Sequence, residues 1–199
     1  MTDLLLIRHA PTAWNTQGLI QGRSDIPLSP EGEALVRSWR LPEVGRERVW
    51  LTSPLARCRT TARLLGLDPT PDPRLVETDW GAWEGRTLTD LRAELGDLMA
   101  AWEARGLDFR APGGESPREI QARLRPWLAE VAASCRPTGA VVHKGVIRAI
   151  YALAVDWDMT DKPRHKLLDG CGHRFTLSPD GTPAIAELNI VLQVNDPVP

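Results

Sequence analysis

Lysine is scarce in this 199-residue chain and occurs only at Lys144, Lys162 and Lys166. Charges of opposite sign almost cancel, because the chain has 24 lysines and arginines and 26 aspartates and glutamates, which gives a net charge of -2. Nucleic-acid-binding domains are usually basic, so this balance argues against a general nucleic-acid binder. The cations that are present are mostly arginines, whose planar guanidinium suits bidentate binding of phosphate.

Cysteines and long apolar runs are also few. The three cysteines, Cys58, Cys135 and Cys171, are far apart and form no Cys-x-x-Cys pair, which favours a reduced, cytoplasmic protein without a disulfide framework. The apolar run near the N-terminus covers only residues 4–7, which is too short for a secretory signal peptide. No stretch of about 20 apolar residues occurs, so we expect no membrane helix.

Short apolar runs predict the strands of a sheet. Those at residues 4–7, 49–52 and 140–142 end abruptly at polar residues and are typical of buried strands of a parallel sheet. Two later runs, 174–177 and 184–192, predict further strands on either side of a turn.

Helix-start signals alternate with these runs. A serine followed by a proline predicts helix starts at Ser29, Ser53 and Ser116. An apolar helix is expected over residues 146–155. Alternating strands and helices predict one domain over residues 1–199, with a three-layer α/β/α sandwich around a mainly parallel sheet.

Residues 78–115 have the least regular pattern. They contain three of the eight tryptophans, Trp80, Trp83 and Trp102, together with the loop 111–114. We expect an insertion over one edge of the sheet that acts as a lid. Most of its tryptophans are expected to be packing anchors, with walls of a substrate pocket as the alternative.

Four basic side chains fall where predicted strands end or the next helix begins. Arg8 and His9 end the first strand, His143 ends the third, and Arg57 lies one turn into the helix after the second. Ligands of open α/β sheets bind at the carboxyl ends of the strands, so we expect these side chains to meet at one edge. Two arginines and two histidines suit a phosphoryl group, which predicts a phosphate site there.

A histidine in such a site is a competent nucleophile. Attack of His9 on phosphorus would give a phosphohistidine that water then cleaves, while the arginines hold the phosphoryl oxygens. The departing alkoxide needs a proton, and Glu77 is the preferred donor because a nearby phosphate dianion would favour its protonated form. Asp79 and Glu84 are rival donors on the sequence alone.

Six segments form an ordered series of motifs over about three-quarters of the chain. They are RHAPTAWN at 8–15, QGRSDIPLS at 21–29, SPLARCRTTA at 53–62, ETDWGAWEG at 77–85, GGES at 113–116 and VVHKGVIR at 141–148. Each motif alone is modest, but the ordered set is specific. With this set the chain resembles the histidine phosphatase superfamily, also called the phosphoglycerate mutase-like family.

The resemblance implies a metal-independent phosphomonoester hydrolase without a cofactor, on the phosphatase branch of the family. It implies that His9 is the phosphohistidine nucleophile and that Glu77 is the general acid and base. It implies that the phosphate pocket is formed by Arg8, Arg57 and His143. It also implies that the substrate is bound by Asn15, Thr12 and Arg23.

Two positions depart from the family's pattern. Ala10 stands where the family has a glycine, a residue that allows positive φ and close backbone approach. The departure therefore bears on the local amide contact and not on the roles of the side chains. Lys144 stands where a small residue is common, and we expect it to point into solvent.

Alternatives remain open within and outside this family. A phosphoglycerate mutase-type phosphotransferase would carry extra cations for a second acidic group, and an α-ribazole 5'-phosphate phosphatase of cobalamin synthesis has similar motifs. A metal hydrolase would use His165, Asp169, Cys171 and His173, whose spacing matches no zinc pattern.

An inactive phospho-ligand-binding protein is the non-enzymatic alternative. The expected partner is a small phosphomonoester, with no nucleic acid or membrane, and the oligomeric state stays open, a dimer included.

Overall fold

The computed structural model describes residues 1–194. Within them the strands are β1 (Thr2–Arg8), β2 (Trp39–Arg40), β3 (Val49–Thr52), β4 (Thr70–Pro71), β5 (Thr138–Val142), β6 (Cys171–Leu177), β7 (Pro183–Val191) and β8 (Gln193–Val194). A central sheet has the order β4-β3-β5-β1-β6-β7, and β2 pairs with β8 separately.

Most neighbouring strands of the central sheet are parallel. The pairs β4 with β3, β3 with β5 and β5 with β1 are parallel, whereas β6 is antiparallel to both of its neighbours. The register places Arg8 opposite Val142, and Thr52 opposite Val141. The strands β1, β3 and β5 therefore end at the same edge, and the predicted mainly parallel sheet is confirmed.

Helices lie along the sheet and beyond its edge. They are α1 (Ala13–Thr16), α2 (Pro30–Ser38), α3 (Ala56–Leu64), α4 (Leu88–Leu95), α5 (Asp97–Glu103), α6 (Pro117–Ser134) and α7 (Lys144–Val155), with short 3-10 helices at Glu43–Gly45, Pro73–Leu75, Gly81–Trp83 and Gly106–Asp108. No helix within residues 1–194 is long and apolar enough to cross a membrane.

Alternating side chains of β1 divide the interior into two cores. Leu4 and Leu6 pack with the apolar faces of α6 and α7, whereas Leu5 and Ile7 pack with those of α2 and α3. Successive side chains of a strand point to opposite faces, so the sheet lies between two helical layers. The predicted three-layer α/β/α sandwich is confirmed.

Two of the three predicted serine caps are present. Ser29 caps α2, and Ser116 forms a capping box with Glu119 at the start of α6. The prediction for Ser53 is wrong, because the chain bends at Pro54 and Leu55 and α3 begins only at Ala56. Asp25 accepts a hydrogen bond from the Ala56 amide at 2.7 Å instead.

The cap segment, residues 78–115, is more regular than its sequence pattern indicates. It contains α4 and α5 and has its own apolar cluster, in which Trp83, Leu91 and Met99 are buried. The sheet contributes nothing to this cluster. Because the cap segment has a separate small core, it forms a structural unit beside the sandwich. Its motion as a lid stays a prediction.

Candidate active site

A cavity of about 550 Å³ lies at the edge where β1, β3 and β5 end. Five of the predicted site residues line it, namely Arg8, His9, Asn15, Arg57 and Glu77. A cavity of this size is typical of sites for small ligands. The sheet thus brings together residues that are up to 69 positions apart, from Arg8 to Glu77.

His9 has a defined tautomer. It is 6% exposed, and its Nδ1 lies 2.7 Å from the carbonyl oxygen of Ala10. A carbonyl oxygen only accepts, so Nδ1 carries the proton and the lone pair of the neutral ring is on Nε2. Burial, followed by the charges of Arg8 and Arg57, lowers the pKa of His9 from 6.5 to about 3. The ring is therefore uncharged at neutral pH, as a nucleophile requires.

His143 lies behind His9 and does not line the cavity. It is fully buried, and its ring centroid is 5.2 Å from that of His9 in an edge-on arrangement. Its Nε2 lies 2.7 Å from Ser53 Oγ and 3.4 Å from Cys58 Sγ. Burial, followed by the electrostatic influence of the neighbouring His9 ring and of Arg57, lowers the pKa of His143 well below its ordinary value. The structure thus brings His143 next to His9, and its predicted contact with phosphate stays a prediction.

Arg57 is fully buried and is fixed by backbone carbonyl groups. It donates to Ser24 O at 2.8 Å and to Gly22 O at 2.7 Å. Glu84 holds the loop that contains these two carbonyl groups. Its carboxylate accepts hydrogen bonds from the Ser24 amide and hydroxyl at 2.9 and 2.6 Å. Gly22 has a φ of +55°, and a Cβ there would lie 1.9 Å from Glu84 Oε1. The loop therefore needs glycine at this position.

Arg8 forms an ion pair that the sequence analysis did not predict. Asp169 forms an ion pair with Arg8 and is 61% exposed at its side chain. The Nε atoms of both Arg8 and Arg57 are buried and have no hydrogen-bond partner within residues 1–194. These donors are therefore free to bind an anion, and guanidinium groups bind phosphoryl oxygens strongly.

Glu77 is fixed at both carboxylate oxygens. Its Oε1 accepts from the Thr78 amide at 2.8 Å and from the Thr78 hydroxyl at 3.1 Å. Its Oε2 accepts from the Gly145 amide at 3.2 Å. A Cβ at Gly145 would lie 2.3 Å from Glu77 Oε1, so a side chain at this position would displace the Glu77 carboxylate. The arrangement holds a carboxyl group in the same cavity as the His9 imidazole.

Arg123 and Glu115 hold the chain that leads to Glu77, and sequence reasoning missed their role. Arg123 donates to Val76 O at 2.8 Å and forms an ion pair with Glu115 at 2.8 Å. Both side chains are mostly buried, at 18% and 12% exposure. The GGES motif, which contains Glu115, was the only sequence signal for this contact.

The rival acids are engaged elsewhere. Asp79 accepts a hydrogen bond from the Gly81 amide at 2.9 Å and pairs with Arg23 at 3.3 Å. Glu84 accepts from the loop around Ser24. Neither Asp79 nor Glu84 lines the cavity, which favours Glu77 as the proton donor.

Two of the three expected substrate contacts lie away from the cavity. Thr12 is fully buried and caps α1, where it holds the side chain of Asn15 through a 2.9 Å bond from its amide to Oδ1. Asn15 itself lines the cavity as predicted. Arg23 pairs with Asp79 and with Glu115 and lies along a neighbouring cleft. Thr12 does not line the cavity and positions Asn15, so a direct contact of Thr12 with substrate stays a prediction.

The two departures from the family pattern are both accommodated. Ala10 is buried, has no positive φ, and donates its amide to Thr61 Oγ1 at 3.1 Å. Glycine is therefore not required for this backbone conformation. Lys144 is exposed as expected, and it also lines the cavity at the start of α7.

The metal-hydrolase alternative finds no support in the described part of the chain. Asp169 pairs with Arg8, and His165 Nδ1 lies 3.1 Å from the Tyr151 hydroxyl. No group of three or more histidine, cysteine, aspartate or glutamate residues within 1–194 could hold a metal ion.

Apolar side chains form much of the remaining cavity wall. The cap segment contributes Trp80, Leu88, Met99 and Phe109, and other segments contribute Leu19, Ile20, Ile120 and Met159. The ring of Trp80 stacks on that of Trp83, with centroids 6.3 Å apart. Trp83 is thus the expected packing anchor, whereas Trp80 is also a wall of the cavity.

The sequence matches the model of the histidine phosphatase superfamily (branch 1) over residues 4–191. The chain therefore belongs to this superfamily, whose class of enzymes comprises phosphatases and mutases. It is 36% identical over 135 residues to a probable phosphoglycerate mutase of Escherichia fergusonii, a match that covers 65% of this chain and 62% of that relative. A relative of the same name in Salmonella paratyphi C has the same identity and coverage. The match thus spans less than two thirds of the length of these curated relatives.

Solved structures share the fold over nearly the whole chain. A mycobacterial glucosyl-3-phosphoglycerate phosphatase in complex with VO3 is 25% identical, with a TM-score of 0.78 and coverage of 96% of this chain and 100% of that chain. A phosphoserine phosphatase of Entamoeba histolytica in complex with 3-phosphoglyceric acid is also 25% identical, with a TM-score of 0.77 and coverage of 95% and 97%. Both similarities agree with the six-stranded sandwich described above.

Proposed function

We propose that the protein is a phosphomonoester hydrolase that works through a phosphohistidine intermediate on His9. One observation carries this proposal: the lone pair of a neutral His9 lies on Nε2 in a cavity that Arg8, Arg57 and Glu77 also line. A nucleophile, two phosphate-binding cations and a carboxyl group are the parts that phosphoryl transfer to and from histidine requires.

In the first step, His9 Nε2 attacks phosphorus and the bond from phosphorus to the ester oxygen breaks. Arg8 and Arg57 bind the phosphoryl oxygens, and their charge stabilises the transition state. Protonated Glu77 gives its proton to the departing oxygen, so an alcohol leaves and Glu77 becomes a carboxylate. The proton on His9 Nδ1 stays on the ring, where it is hydrogen-bonded to the carbonyl oxygen of Ala10.

In the second step, the Glu77 carboxylate takes a proton from water as the water oxygen attacks phosphorus. The bond from phosphorus to His9 Nε2 then breaks and inorganic phosphate leaves. His9 returns to its neutral form and Glu77 is protonated again, so the cycle needs neither a metal nor a cofactor.

The cap segment, residues 78–115, would act as the lid of this site. Support comes from its own apolar cluster and from its four apolar residues at the cavity. Closure of such a segment would exclude bulk water while the leaving group is bound. A cytoplasmic location belongs to the same proposal, supported by the free thiols of Cys58, Cys135 and Cys171.

A mutase-type phosphotransferase is the second candidate, and the name of the 36% identical relatives favours it. In that reaction the phosphohistidine would return its phosphoryl group to another hydroxyl of the bound molecule instead of to water. Parallel assays of phosphate release and of isomerisation of 3-phosphoglycerate distinguish the two. The hydrolase proposal requires phosphate release to dominate.

The test compares phosphate release from p-nitrophenyl phosphate in EDTA by the intact protein, by His9→Gln and by the control His165→Gln. We expect activity in the intact protein and the control, and a loss of about 10⁴-fold or more in His9→Gln. Activity that survives in His9→Gln would reject the phosphohistidine route. Activity that is lost in EDTA and in His165→Gln would restore the metal-hydrolase alternative.

A further inference from the structure

We propose that Asn189 is a positioning residue for the phosphate pocket. It holds the loop of residues 166–169 so that the Asp169 carboxylate stays paired with Arg8 until a phosphoryl group takes its place. The inference rests on the proposed function, since it concerns how the same pocket takes up and releases phosphate. Asn189 acts through Asp169 and not on the reacting atoms.

A bulge in β7 directs the Asn189 side chain towards this loop. The register of β6 and β7 shifts between Gly172 and Arg174, where β7 has one residue more than β6. Asn189 lies in this interval and has a φ of +59°, in the left-handed region. Asparagine tolerates this conformation better than most residues with a side chain, and bulges beside active sites often re-aim a side chain.

The Asn189 side chain binds the loop at two points. Its Oδ1 accepts a hydrogen bond from the Leu168 amide at 2.8 Å, and its Nδ2 donates to the Lys166 carbonyl oxygen at 2.9 Å. Residues 166–169 belong to no helix or strand. Because Asp169 directly follows Leu168, these two bonds fix the backbone from which its carboxylate reaches Arg8.

His173 holds the backbone of the bulge. It is 2% exposed, and its Nδ1 accepts a hydrogen bond from the Asn189 amide at 3.3 Å. Burial lowers the pKa of His173, while a hydrogen bond with the Leu168 backbone acts in the opposite direction. A neutral ring leaves Nδ1 able to accept. The bulge, the loop and this buried ring therefore form one connected unit.

Asp169 is an ionised competitor for the phosphate pocket. Burial raises its pKa, but the charge of Arg8 and its hydrogen bond, and then the charge of Lys144, lower the pKa below its ordinary value. The carboxylate binds Nη1 of Arg8, whereas the buried Nε has no partner within residues 1–194. A phosphoryl group that binds Arg8 therefore shares the guanidinium with Asp169 or displaces it.

The fixed loop makes this competition stronger. A carboxylate that is held beside Arg8 loses less freedom on pairing than one on a mobile loop. Loss of the Asn189 bonds should therefore weaken the competitor and strengthen the binding of phosphate. A merely structural role predicts the opposite, since a disturbed pocket binds phosphate less well whether or not Asp169 is charged.

A double-mutant cycle with inorganic phosphate as the ligand tests this inference. Asn189→Gly keeps the positive φ and removes both side-chain bonds. Calorimetric titration of the full chain at low ionic strength gives the Kd for phosphate. We expect this Kd to fall about 2- to 5-fold in Asn189→Gly, the range for an exposed ion pair. In the Asp169→Asn background the same substitution should leave the Kd unchanged.

A second variant breaks the same contact from the side of the loop. Leu168→Pro removes the N–H that Asn189 accepts and leaves β7 intact, so it replaces Asn189→Gly in the cycle if the glycine variant does not fold. The control Glu187→Gln changes an exposed residue of the same strand and should leave the Kd unchanged. An unchanged or higher Kd in the variant that enters the cycle, or the same fall in both backgrounds, would overturn the proposal.

Binding of phosphate without turnover separates this proposal from the proposed function. The expected coupling between Asn189 and Asp169, in a protein that hydrolyses no phosphomonoester, would keep the role of Asn189 and remove the hydrolase. Hydrolysis that depends on His9, with no coupling in the cycle, would remove the role of Asn189 and keep the hydrolase.

Discussion

The floor and the roof of the cavity are built differently. The floor consists of Arg8, His9, Arg57 and Glu77. Arg8 and His9 lie at the end of β1, Arg57 lies at the start of α3, and Glu77 lies in a loop that the start of α7 contacts. Backbone groups form hydrogen bonds with His9, Arg57 and Glu77. The roof is the cap segment with its short helices α4 and α5. The Arg92–Glu103 ion pair between these helices is exposed, at 56% and 40%, and such pairs contribute little to stability. The chemistry thus depends on the sheet, whereas the roof can vary without disturbing the sheet.

The largest effect that tests the floor is expected for Glu77→Gln. Alkyl phosphates need a proton on the departing oxygen, so their turnover should fall about 10²- to 10⁴-fold. The single-turnover rate of the first step with p-nitrophenyl phosphate should fall much less, because nitrophenolate leaves without a proton. Single-turnover rates with both substrates measure this contrast. The control is Asp79→Asn, and a leaving-group-dependent loss in that variant would transfer the acid role to Asp79.

The roof is tested by Trp80→Leu beside Trp102→Leu. Both residues belong to the cap cluster, but only Trp80 lines the cavity. Trp80→Leu should lower kcat/KM for an aromatic phosphate about 10-fold relative to that for a small alkyl phosphate. The Trp102→Leu ratio should match that of the intact protein. Equal ratios in all three proteins would show that the roof does not select the leaving group.

A smaller effect is expected at Asp169, where an exposed carboxylate competes for a floor arginine. In Asp169→Asn, Arg8 loses its ion-pair partner and binds phosphate more freely. The inhibition constant of inorganic phosphate should fall about 2- to 5-fold, the range expected for an exposed ion pair. Asp68→Asn is the control at an exposed site. A rise in the inhibition constant would mean that Asp169 positions Arg8 for phosphate instead of competing.

The smallest effect is a pH dependence of stability that belongs to the floor. The pKa of His9 is about 3 in the folded protein and 6.5 ordinarily. The unfolded chain therefore binds more protons as the pH falls through 6.5, which lowers stability. Between pH 7.5 and 5.5 this costs about 1.4 kcal/mol, and His9→Gln should remove that part of the slope.

Denaturant unfolding at the two pH values measures this difference. The exposed His165 gives the matched control, and His165→Gln should keep the slope of the intact protein. An unchanged slope in His9→Gln would contradict the buried, neutral state of His9.

The floor could be predicted from the sequence because its residues directly follow strand ends or lie in ordered motifs. Arg8, His9 and Arg57 needed only the rule that parallel strands end at one edge. The pairing of Asp169 with Arg8 spans 161 positions and depends on the packing of the loop before β6. No local pattern indicates such a contact.

The helices of the roof and the contacts behind His9 were also not predicted from the sequence. The helices α4 and α5 have only one fully buried core position each, Leu91 and Met99, so their periodic signal is weak. The predicted start of α3 at Ser53 was wrong because the chain bends at Pro54 and Leu55 before the helix begins at Ala56. Ser53 instead contacts His143, a partner set by the alignment of β3 and β5.

The central claim is tested most directly by trapping the intermediate. Glu77→Gln lacks the base for the second step, so phosphoenzyme should accumulate when it is mixed with p-nitrophenyl phosphate and quenched in alkali. Peptide mass spectrometry should then find one phosphoryl group, labile to acid, on the peptide that contains His9. A quenched protein with no phosphoryl group during turnover, or one phosphorylated at another residue, would contradict the account.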